Sequence, residues 1–178
     1  MPARFRMLIF LGVLALISPA GNASAPADSA PTHDPFIGTW VLNVAKSELA
    51  GPAPKSEFRT FALGPGGMVL CTITAVNHEG RGSFVFWEVR LDGSESGEYS
   101  SEGGATPIRM LHMKRVDPST IEIVVKYTKH THLKHEGILS ATGSFVVSKD
   151  GKTLTYKAQN TSPDGQKTQN VRIFDKQP

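Results

Sequence analysis

From Phe36 onward the chain alternates apolar and polar residues with a period of two, and this pattern restricts its fold more than any other feature. Phe36, Trp40 and Leu42 form one such set, and Val85, Trp87, Val89 and Leu91 another. Ile121, Ile123, Val125 and Tyr127, then Leu154, Tyr156 and Ala158, repeat it. Each set places its apolar side chains on one side of an extended backbone. No long window carries the 3.6-residue period of a helix. Between the runs stand Asn77-His78-Glu79-Gly80, Leu91-Asp92-Gly93, Asp117-Pro118-Ser119, Asp150-Gly151 and Pro163-Asp164-Gly165. These supply the Asn, Asp, Pro and Gly chemistry of tight antiparallel turns.

The pattern predicts about nine strands, near residues 36–44, 55–63, 67–77, 82–91, 106–116, 120–128, 137–148, 152–159 and 169–175. The acidic stretch 94–105 (SESGEYSSEGGA) reads as a long flexible loop or a weak strand between loops, with Glu95 and Glu98 in water. Many one-faced strands and no helix to cover an open sheet leave a sandwich or a barrel. Short sequential connections and the removal of exposed edges favour a single antiparallel up-and-down β-barrel of about 8–10 strands.

Residues 1–27 read as an export signal: Arg4 and Arg6, the apolar run 7–17, then small residues around the expected cleavage at 23–27. The run falls short of the roughly 20 residues of a spanning helix, so no membrane span is expected once it is removed. A short leader, 28–33, precedes the folded domain at 34–178. The formal net charge of +3 includes Arg4 and Arg6 and falls to +1 without them, which leaves no electrostatic footprint for nucleic acid. The single cysteine, Cys71, closes no internal disulfide and reads as a small buried hydrophobe. The expected product is an exported monomer, periplasmic or secreted.

The run Asp34-Pro35-Phe36-Ile37-Gly38-Thr39-Trp40-Val41-Leu42 resembles the first strand of bacterial lipocalin-like proteins, with their Gly-x-Trp at Gly38 and Trp40. Residues 51–56 (GPAPKS), 146–155 (VVSKDGKTLT) and 170–177 (NVRIFDKQ) look like a group of short exported proteins of that kind. The resemblance spans nearly the whole domain, although the Thr-Asp-Tyr motif of classical lipocalins is missing. It implies a lipocalin-like barrel whose closed end is plugged by Trp40. It also implies a cation of the last strand laid across that indole, for which Arg172 is the candidate.

Barrels of this size either fill with side chains or hold one small ligand. The candidate interior for binding a small hydrophobic molecule is Trp40, Trp87, Val89, Leu111, Met113, Val125, Tyr127 and Tyr156, with Leu42, Val85 and Ile123 beside them. By alternation with Leu111 and Met113, His112 faces out. No catalytic residue or motif is found: residues 93–97 (GSESG) lack the nucleophile-elbow context, and 64–67 (GPGG) precedes a strand. No cofactor is expected. His130, His132 and His135 are weak metal candidates, because Lys126, Lys129 and Lys134 nearby oppose a cation and the segment reads as a solvated hairpin tip. Two alternatives to ligand binding stand. One is a barrel isomerase or cyclase with an enclosed His112 or Glu88 beside Tyr127 or Tyr156; the other is a non-catalytic structural module of the cell envelope.

Overall fold

The computed structural model describes residues 34–101, 108–127, 139–162 and 164–178. They form β1 (Gly38–Leu42), β2 (Ser56–Leu63), β3 (Val69–Val76), β4 (Gly82–Val89) and β5 (Asp92–Ser100). Then follow β6 (Arg109–Asp117), β7 (Thr120–Tyr127), β8 (Leu139–Val147), β9 (Thr153–Thr161) and β10 (Lys167–Lys176). All ten belong to one closed antiparallel barrel in which sequence neighbours are also sheet neighbours. β1 closes it by pairing on one side with β2 and on the other with β10. Up-and-down order and full closure are thus observed.

The tenth strand is β5, which starts at Asp92 and covers the first half of the stretch 94–105, expected as a long loop or a weak strand. Ser, Gly and Glu are poor strand formers, and β5 takes its order from its neighbours. It pairs with β4 through Val85–Ser100, Phe86–Tyr99 and Trp87–Glu98, and with β6 across a bulge between Asp92 and Glu95. Glu98 stands directly opposite Arg109 in that register. The expectation that Glu98 is solvated is corrected: it is only 5% exposed.

The inward faces follow the alternation. Trp40, Leu42, Trp87, Val89, Leu111, Met113, Ile123 and Val125 are buried in one core, with Val85 and Tyr156 packed against it. On β8 and β9, Gly143 allows an approach no side chain would permit, since a Cβ there would run into the Lys157 backbone.

Residues 34–37 tuck under one end of the barrel, with the Ile37 N–H donating to the Asp34 carbonyl at 3.0 Å. Phe36 and Trp40 are both fully buried there. The Trp40 indole N–H donates to the Phe36 carbonyl at 2.8 Å, and Arg115 lies 5.0 Å from the centre of the Phe36 ring. The cation over Trp40 is Lys176, whose Nζ is 4.9 Å from the ring centre and donates to the Pro35 carbonyl at 3.1 Å. Arg172 therefore does not cross the indole. Register explains the correction: Trp40 stands opposite Lys176, while Arg172 lies four residues further up the same face of β10. Gly38 makes room for the lysine. Its φ is +130°, and a Cβ there would sit 2.9 Å from the Lys176 Cε.

Candidate functional site

Away from the Trp40 end, the barrel holds a cavity of about 190 Å³. Its apolar wall comes from alternate residues of β3, β4, β7 and β8: Ile73, Trp87, Ile123, Val125, Ala141 and Phe145. Between these apolar strands the lining is polar and charged, in two arcs of the barrel: Arg59 on β2 with Tyr156 and Asn160 on β9 and Asn170 and Arg172 on β10, and Glu98 on β5 with Arg109 on β6.

Glu57 and Arg59 share the inward face of β2 and are 2% and 7% exposed. The Arg59 Nε donates to the Glu57 Oε1 at 2.9 Å and its Nη2 lies 2.8 Å from the same oxygen. The other Glu57 oxygen accepts from the Arg172 Nη1. Glu57 lies one residue beyond the last β1–β2 partner pair, Val41 with Phe58, and so bridges β2 to β10 at the point where β1 ends. Across the cavity, the Arg109 Nε donates to the Glu98 Oε1 at 2.7 Å.

Aromatic faces hold the Arg59 guanidinium in place: Tyr156, Phe174 and Phe145 have their ring centres 5.0, 5.1 and 5.5 Å from its Cζ. Burial pulls the Arg59 pKa down, but the adjacent Glu57 carboxylate, together with Cys71 and Tyr156, outweighs it and the net direction is up. Arg59 is a permanent cation. Burial raises the Tyr156 phenol against the opposing pull of Arg59, Arg109 and Arg172, so the phenol stays neutral at physiological pH. Its ring stacks on Phe145 at 4.4 Å between centroids.

Two ion-paired groups, Arg59–Glu57–Arg172 and Arg109–Glu98, thus border the cavity, and together they carry one excess positive charge. Arg109 and Arg172, with side chains 34% and 30% exposed, reach toward solvent. Among the described residues, Arg172 donates only through Nη1, and Arg109 only through Nε and Nη2. The Nε and Nη2 of Arg172 and the Nη1 of Arg109 are left without a partner there.

Of the eight interior residues singled out from the sequence, Trp87, Val125 and Tyr156 line this cavity. Trp40, Val89, Leu111 and Met113 are buried core outside it, and the Tyr127 side chain lies outside the described residues. His130, His132 and His135 also lie outside them. Among the described residues no group of three His, Cys, Asp or Glu side chains converges on a point. His112 has its ring 29% exposed and 3.3 Å from Glu95, and neither it nor Glu88 lines the cavity. The enclosed proton-transfer pair of an isomerase is therefore not formed by these two residues.

Arg59, Arg109, Glu57 and Glu98 were missed. Glu57-x-Arg59, opposite charges on one face of a predicted strand, was the available signal.

Cys71 also faces the interior and is fully buried. Burial pushes its thiol up to about 12, with Arg59 partly opposing. Because the thiolate is the reactive form, native protein at pH 8 is expected to resist iodoacetamide, whereas protein unfolded in guanidinium should be fully alkylated. Rapid labelling of the folded form, followed by intact-mass spectrometry, would contradict this picture of Cys71.

Among the described residues, no helix is long and apolar enough to cross a membrane. Comparison with known proteins finds no matching family model and no matching curated protein.

Proposed function

We propose that this is an exported, lipocalin-like protein that binds a small, mostly apolar molecule carrying a polar group inside its barrel. One observation carries the reading: the barrel is not filled along its whole length but keeps a cavity of about 190 Å³ whose lining is part apolar and part polar. Drug-sized sites occupy roughly 300–1,000 Å³. A dry cavity of about 150 Å³ takes up benzene, which fixes the scale of the ligand at one ring or a short branched chain. Export is supported by Arg4, Arg6 and the apolar run that follows them.

Trp87 lines the cavity and Trp40 does not, so a ligand should change Trp87 fluorescence selectively. Native mass spectrometry of protein purified from its own source is expected to show a bound small molecule. Ala141→Phe, whose ring would fill the cavity, should abolish both the bound mass and the fluorescence response. Protein that arrives empty, and whose Trp87 emission responds to no small apolar compound, would rule the reading out. Amino-terminal sequencing of the same sample should begin between residues 24 and 28.

A further inference from the structure

We infer that the ligand is a small aromatic monocarboxylate, its carboxylate held by Arg109 and Arg172 and its ring lying against Trp87; this rests on the reading of the cavity as a ligand site. The charge count points to it first. Glu57 and Glu98 neutralise two of the three guanidiniums, and one positive charge is left over at the cavity lining. A monoanion makes the cluster neutral, whereas a dianion would reverse its sign.

Hydrogen-bond geometry points the same way. Arg59 is committed to Glu57 and clamped among Tyr156, Phe174 and Phe145, so it serves as a fixed support. The donors left over among the described residues belong to Arg172 and Arg109, which line the cavity from β10 and β6. Planar guanidinium edges match the two oxygens of a carboxylate. Asn160 and Asn170, which also line the cavity, add amide groups that can bond to the same head.

The rest of the lining sets the body of the ligand. Ile73, Trp87, Ile123 and Val125 offer no hydrogen-bonding side chain to the cavity beyond one indole N–H, so they suit a hydrocarbon. A single ring with one carboxylate fits the volume, and a long acyl chain does not.

The experiment titrates the protein with sodium benzoate, benzyl alcohol and inorganic phosphate, followed by calorimetry and Trp87 fluorescence. Benzoate is expected to bind at least tenfold more tightly than benzyl alcohol, and phosphate more weakly than either. Arg172→Gln leaves Glu57 paired with Arg59. It should cost benzoate tenfold or more in affinity while leaving benzyl alcohol within about twofold. Arg172→Lys, which keeps the charge but not the fork, should fall between, and it provides the comparison if the glutamine variant does not fold. Equal binding of benzoate and benzyl alcohol would overturn the carboxylate assignment and leave the cavity reading intact. Phosphate binding as tightly as benzoate would overturn the aromatic assignment. Failure of both ring compounds would overturn the inference together with the reading beneath it.

Discussion

Glu57→Ala is expected to destabilise the folded barrel by about 3–5 kcal/mol, the cost of stranding buried charges. Each oxygen of this carboxylate is used, one by Arg59 and the other by Arg172. Without it, Arg59 keeps its charge in a site only 7% exposed and faces Arg172 across the gap that Glu57 had bridged. For a domain of this length each kcal/mol corresponds to roughly 3 °C, so thermal melts should fall by about 10–15 °C. The paired variant Glu57→Leu with Arg59→Met should recover most of that loss. Replacing a buried ion pair by apolar groups of similar volume is near neutral, and Arg172, with its partly exposed side chain, can turn toward water. A single variant melting within about 3 °C of the parent would show that the cluster does not govern stability. A double variant no better than the single would show that Glu57 acts through something other than charge.

The same residue shows how far the sequence could be read. Alternation decides a strand's inner face only where one set of positions is apolar throughout, as with Trp87 and Val89 or Ile121, Ile123 and Val125. On β2 the apolar residues Phe58 and Phe61 are three apart and cannot share a face. One choice buries Phe58 with Thr60 and Ala62; the other buries Glu57, Arg59 and Phe61. Hydropathy favours the first. The structure takes the second, leaving Phe58 43% exposed, because Glu57 and Arg59 pair with each other and Arg172 takes the second carboxylate oxygen. Arg172 comes from β10, more than a hundred residues away, and no local pattern reports it. Arg109 and Glu98 are closer in sequence, but their pairing depends on β5 being a strand. Its composition argued against that, and the flanking strands enforce it. The barrel was legible because it is written in period and turns; the charged lining was not, because it depends on register between strands.

Trp40→Ala is expected to cost about 4–5 kcal/mol, at the upper end for a buried aromatic cut back to alanine. Three losses coincide: the packing of a fully buried indole, the hydrogen bond that satisfies the Phe36 carbonyl at 2.8 Å, and the face over which Lys176 lies. Smaller variants separate them. Trp40→Phe keeps much of the packing and orphans the carbonyl, for about 1–3 kcal/mol. Lys176→Met keeps the indole and removes the cation, for about 0.5–2 kcal/mol. It should also shift Trp40 emission, which can be recorded alone in a Trp87→Phe background. Arg172→Met in that background should leave Trp40 emission unchanged, because its guanidinium belongs to Glu57. A Trp40 spectrum that follows Arg172 and ignores Lys176 would restore the arrangement expected from the resemblance and undo the register that puts Lys176 opposite Trp40. Urea titrations read by circular dichroism supply the free energies. If the slope with denaturant is unchanged, the loss belongs to the native plug and not to a more expanded unfolded chain.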